Sequence, residues 1–212
     1  YTRCPIAQTD LMRVFLKVIS YLFHPIFIPI AGCISYFLIT PKYSPPEIRN
    51  PILLPVFILT VIIPIITFFI LKNIGLASNI FVPQLRERKY PLYINLILLF
   101  LVVYKVIFNN FIAELHFYFL GLIAASMTTL LLLFFKLKVS MHLMGMGSLF
   151  MFLVCLSIHF EKNITIAVSL VTLASGLVAT SRLYLKAHSK PELLIGFFIG
   201  MISQLITIRY WL

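Results

Sequence analysis

Residues 52–71 read ILLPVFILTVIIPIITFFIL, a run without one charged side chain. As a helix, about 20 residues rise roughly 30 Å, the thickness of a bilayer's hydrocarbon core. Working outward, six more stretches are predominantly apolar and about as long: 13–39, 92–113, 115–135, 141–160, 164–181 and 193–211. Composition agrees. Of the 212 residues, 61% are hydrophobic and 11% charged, where a soluble domain carries about 25% charged residues. Mean hydropathy is +1.06. These values exclude a soluble globular enzyme, a disordered chain and a disulfide-stapled secreted domain. The expected fold is all-α: a multi-pass transmembrane helical bundle of six to seven spans, forming a single integral membrane domain over 1–212.

Prolines shape the expectation further. Pro55 and Pro64 should kink the second span, since neighbouring helices can absorb the freed backbone groups. The first span holds Lys17, His24, Pro25 and Pro29, so a break or a partly interfacial course is expected there. The stretch TPKYSPPEIRN (40–50) is the one Pro-rich connector. Asn95, Ser126, Thr128, Thr129 and Gln204 are few polar residues for a mid-membrane transport path, and no inverted repeat is visible.

Charge is lopsided: 17 Lys and Arg against 6 Asp and Glu, a formal +11. Most cations lie between apolar stretches. That points to anionic headgroups and phosphorylated lipids as partners, not to nucleic acid. Cys4, Cys33 and Cys155 are odd in number and form no metal-type pair.

Seven spans would put the segments RERKYP (86–91), KLKVSMH (136–142) and SRLYLKAHSKPE (181–192) on one face of the membrane. Twelve of the 17 cations fall on that face and five on the other. Taken plainly, the positive-inside rule makes it cytoplasmic. Four of the twelve (Arg86, Arg88, Lys89, Arg182) are candidate phosphate ligands, and three lie within the first 17 residues. Without those seven the count is five against five, and orientation stays open.

Each segment carries chemistry suited to phosphate. In Ser181-Arg182-x5-His188-x3-Glu192, the Arg182 fork matches phosphate oxygens. His188 is a candidate nucleophile, and Glu192, four residues on, can hold its far nitrogen. The same stretch also reads structurally. Ser189-x-x-Glu192 is a capping box with Pro191 in the first turn of the last helix. In the second segment, Ser140 and a helix start can hold phosphate, and His142 can protonate a leaving group. The alternative is an interfacial histidine beside snorkelling lysines. Arg86, Arg88 and Lys89 can clamp phosphate oxygens, or simply form a basic loop. His24-Pro25 reads as a kink whose imidazole can line a polar cavity. His116 and His159 read as interfacial, on the opposite face.

The order of these segments resembles the type 2 phosphatidate phosphatase family, the membrane branch of the vanadium-haloperoxidase-like phosphatases. That family's pattern is K-x6-R-P, then P-S-G-H, then S-R-x5-H-x3-D, and the resemblance spans roughly residues 86–192. Ser181, Arg182 and His188 match in identity and spacing. Departures are Val139 and Met141 in place of Pro and Gly, Glu192 in place of Asp, and Tyr90 before Pro91 in place of Arg. The resemblance implies hydrolysis of a lipid phosphate or pyrophosphate without metal or other cofactor. His188 would form a phospho-histidine, Glu192 would orient it, and His142 would act as general acid. Arg182, Ser140, Arg86, Arg88 and Lys89 would bind phosphate. The alternative it leaves open is a catalytically degenerate relative that binds anionic lipid or joins a membrane complex.

Overall fold

The computed structural model describes residues 5–76, 89–107 and 112–212, with side chains from residue 10 onward. The described residues are helical and turn, with no strand among them. The helices are α1 (Pro5–Leu22), α2 (Ile28–Ile39), α3 (Pro46–Phe57), α4 (Ile63–Asn73), α5 (Lys89–Leu101), α6 (Ala113–Phe134), α7 (Met141–His159), α8 (Thr165–Tyr184) and α9 (Lys190–Ile208). They form seven stretches long and apolar enough to cross a bilayer: Asp10–Ile39, Pro46–Asn73, Lys89–Val106, Ala113–Phe134, Met141–His159, Thr165–Tyr184 and Lys190–Ile208. The chain is an integral multi-pass membrane protein.

The first span is broken, as expected. A residue before proline is pushed out of helical backbone. His24, before Pro25, sits at φ −66° and ψ 140°, and a short 3-10 turn Pro25–Phe27 follows. Pro29 then lies in the first turn of α2, where a missing N–H costs nothing. The second span widens into a π-helical turn at Ile58–Ile62, between Pro55 and Pro64. There the Thr60 hydroxyl donates to the Val56 carbonyl at 2.8 Å. The third span ends earlier than expected, at Val106 and not near residue 113. Its last turn is again wide, the Ile107 N–H closes back on the Val102 carbonyl at 3.0 Å, and Ile107 is extended. The His116 ring then donates to the Ile107 carbonyl at 3.2 Å, which holds the chain out of helix.

Helix α7 is the centre of the bundle and packs on α2, α6, α8 and α9. It is apolar on nearly every side, the pattern of a fully surrounded helix. Lipid tails are as apolar as leucine, so close packing, not water exclusion, holds such helices together. Small residues permit it here. A methyl group added at Gly200 would lie 2.0 Å from the Met144 carbonyl oxygen, and one at Gly147 2.2 Å from that of Phe197. Backbones of α7 and α9 therefore nearly touch. Near the centre, the buried Tyr118 ring stacks on Phe152 at 4.2 Å, and its hydroxyl donates to the Ile28 carbonyl at 2.8 Å.

Glu114, in the first turn of α6, is 2% exposed. Lys42 Nζ donates to its Oε1 at 2.5 Å, and His159 Nε2 lies 3.4 Å from the same atom. The Tyr36 hydroxyl donates to Oε2 at 3.5 Å. This carboxylate ties the α2–α3 connection, α6 and the end of α7 together. His159, read from sequence as interfacial, is one of its partners.

Candidate functional site

At the opposite end of α7 the local structure follows from the caps. Ser140 precedes α7, and its hydroxyl accepts from the Leu143 N–H at 3.5 Å. His142 is thereby fixed in the first turn. Helix α8 ends in a tight reversal with Lys186 at φ 51°. The Ala187 N–H reaches back to the Arg182 carbonyl at 3.0 Å, and the Lys186 N–H to that of Leu183 at 2.9 Å. This pair of bonds is the Schellman pattern, usually built on glycine. It turns the chain so that His188 returns to the level of Arg182. The Ser140 N–H then donates to the Glu192 carbonyl at 3.2 Å, tying the starts of α7 and α9 together.

The capping box that the same stretch offered as its alternative reading is not formed. The Ser189 side chain makes no capping hydrogen bond. Glu192 turns instead to His188, whose Nδ1 lies 2.6 Å from Oε2. A carboxylate can only accept, so Nδ1 carries the hydrogen and the ring's lone pair sits on Nε2. Lys138 Nζ stands 4.0 Å from Glu192 Oε2 and donates to the Ala187 carbonyl at 2.7 Å. The cation stabilises the carboxylate, and the carbonyl contact steadies the turn that holds His188.

Arg182 is 3% exposed and His188 8%. Arg182 Nη1 donates to the Ser20 hydroxyl at 3.4 Å. Ser20 Oγ also pairs with Ser181 Oγ at 2.7 Å, and the Ser181 hydroxyl donates to the Leu16 carbonyl at 2.6 Å. His142 Nε2 donates to the Ser20 carbonyl at 3.2 Å. One residue of α1 thus touches Arg182, Ser181 and His142. Ser181 serves the seam between α1 and α8.

These groups close one end of a cavity of 430 Å³. Its polar end is lined by His24, His142, Arg182 and His188. The rest is apolar, with Phe68 and Leu71 of α4, Ile94 and Leu99 of α5, and Leu122 of α6 among the lining residues. Asn95, whose amide donates to Ser126 at 3.4 Å, is a polar exception. The shape suits a molecule with a compact charged head and an apolar body.

Of the residues singled out from sequence, His142, Arg182 and His188 share this cavity, and Glu192 holds His188 from behind. Ser140 is fully buried as a helix cap and does not line the cavity. Lys89 opens α5 and lies over the Phe134 ring at 5.3 Å, away from the lining. Arg86 and Arg88 lie outside the described residues. Sequence reasoning passed over Ser20 and the part played by Lys138. The signal for Ser20 was its four-residue spacing from His24, a polar pair within an apolar stretch. No protein-family model, curated protein or solved structure matches the chain.

Proposed function

We propose that the protein hydrolyses a lipid phosphate monoester or diphosphate through a phospho-histidine on His188. The observation that carries this reading is the convergence of the Glu192-held His188 with Arg182 and His142 at the polar end of an apolar cavity. In the first step His188 Nε2 attacks phosphorus, the P–N bond forms and the P–O bond to the lipid breaks. The departing oxygen takes a proton from His142. The Glu192 carboxylate stabilises the charge that appears on the His188 ring. In the second step water attacks the phosphoryl group and gives a proton back to His142, the P–N bond breaks and inorganic phosphate leaves. Arg182 faces the phosphate oxygens throughout, where a guanidinium fork is worth most. The lipid's acyl or prenyl chain occupies the apolar end. Low charge and short connections suit a bacterial cytoplasmic membrane as its location.

His142 imposes a condition. Its Nε2 hydrogen is given to the Ser20 carbonyl. Proton delivery therefore uses either Nδ1 of the imidazolium or a shift away from Ser20 when the head group enters.

A second reading is a non-catalytic relative that binds anionic lipid. The cap role of Ser140 and the bulk of Met141 favour it. Phosphate release by the purified protein in detergent separates the two. The panel is a prenyl diphosphate, phosphatidate, phosphatidylglycerol phosphate and lipid A, with EDTA present. Release that survives EDTA and disappears in His188→Ala supports hydrolysis. Lipid binding without release from any member, equal in His188→Ala, supports the binding relative.

A further inference from the structure

The break in the first span puts a third imidazole at the polar end of the cavity. His24 lines it together with His142, Arg182 and His188. Its ring meets that of His142 edge-to-face, with centroids 5.2 Å apart and planes at 82°. The His24 backbone precedes the 3-10 turn, and its Nδ1 accepts the Ile26 N–H at 3.4 Å. An accepting Nδ1 carries no hydrogen, so the neutral ring holds its hydrogen on Nε2. No group among the described residues takes that hydrogen. The ring therefore brings a donor to a cavity end that already holds the Arg182 guanidinium.

We infer that His24 is an additional ligand-binding residue, donating its Nε2 hydrogen to an oxygen of the bound phosphoryl group. This rests on the phosphate reading of the site. It gives the Pro25 break a purpose beyond bending the chain. An unbroken helix would satisfy Ile26 N–H from its own backbone and leave the tautomer of residue 24 unset. The break uses that N–H to fix Nδ1 as acceptor and so points a hydrogen away from the turn. His24 takes no part in bond making: His188 attacks, His142 gives the proton, and His24 holds an oxygen that gains charge.

Two substitutions separate this role from a purely structural one. His24→Asn keeps an acceptor where Nδ1 stands and so keeps the turn, but loses the far donor. His24→Gln keeps a donor near the Nε2 position but loses the cap. The probe is inorganic phosphate, read as the rise in thermal unfolding midpoint over equal ionic strength of chloride. Hydrogen bonds to charged groups imply about a tenfold to hundredfold weaker phosphate affinity in His24→Asn. His24→Gln should stay close to wild type in affinity while unfolding at a lower temperature without phosphate. Wild-type affinity in His24→Asn overturns the inference and leaves the phosphate reading standing. Equal loss in both variants also overturns it, because the intact ring and not its donor would then matter. No phosphate-dependent rise in wild type itself would overturn the phosphate reading, and the inference with it.

Discussion

His188 Nδ1 and Glu192 Oε2 stand 2.6 Å apart across one turn at the start of α9, with Lys138 Nζ 4.0 Å behind the carboxylate. The contact defines which ring nitrogen keeps a lone pair, on a ring that lines the same cavity as Arg182.

That pair gives the first prediction. Glu192→Gln can accept only through a neutral oxygen and cannot stabilise the imidazolium. Its turnover should fall about a hundredfold or more, by analogy with the loss of a buried carboxylate behind a catalytic histidine. The apparent KM should change little. Steady-state kinetics of phosphate release would show the split, and unchanged turnover would remove Glu192 from the mechanism.

Ser20 gives the second. Its hydroxyl accepts from Arg182 and pairs with Ser181, both deep in the protein. Ser20→Ala leaves these two side chains without that partner, at a cost of about 1–3 kcal/mol. The unfolding midpoint should drop. Arg182 should also hold phosphate less well, because the hydroxyl that positions its guanidinium is gone. A variant with wild-type midpoint and wild-type KM would show that α1 does not brace the site.

The α7–α9 contact gives the third. Gly200→Ala sets a methyl group against the Met144 carbonyl, where backbone must move. The expected loss is about 1–3 kcal/mol of stability. Activity should fall too, although Gly200 does not itself line the cavity, because α7 carries His142 and α9 carries Glu192. Gly176 offers a control: a methyl group there meets nothing within 4 Å, so Gly176→Ala should leave activity intact. Equal behaviour of the two variants in an unfolding and activity series would contradict this.

Glu114 gives the fourth. Glu114→Gln removes the charge that Lys42 and His159 share at the other membrane face. Breaking a buried ion pair costs up to about 3–5 kcal/mol, and exposure of Lys42 reduces that here. The variant should unfold at lower temperature yet keep its KM for lipid phosphate. A changed KM with an unchanged midpoint would mean that the two ends of the bundle are coupled.

Much of the fold was legible because the bilayer imposes a simple rule. Predominantly apolar runs of about 20 residues must be helices that satisfy their own backbone, and all seven expected spans are found. His24-Pro25 marked the break in the first, and Pro55 and Pro64 flank the wide turn in the second. The Arg182, His188 and Glu192 relationship was legible because it lies within one turn and one helix start. What stayed hidden depends on contacts between distant parts of the chain. Ser20 meets Ser181 across 161 positions, and Glu114 meets Lys42 across 72. Ser140 shows the opposite difficulty. A serine before a helix is equally a phosphate ligand and a cap, and only the packed structure shows its hydroxyl turned to the Leu143 N–H.

The most direct test of the account is a search for the covalent intermediate. Purified protein would be mixed with a prenyl diphosphate labelled in its terminal phosphate, quenched in alkali within milliseconds to seconds, and digested for peptide mapping. The account predicts acid-labile, alkali-stable label on the peptide containing His188, and none in His188→Ala. Phosphate release that continues in His188→Ala, or label that maps to another residue, would contradict it.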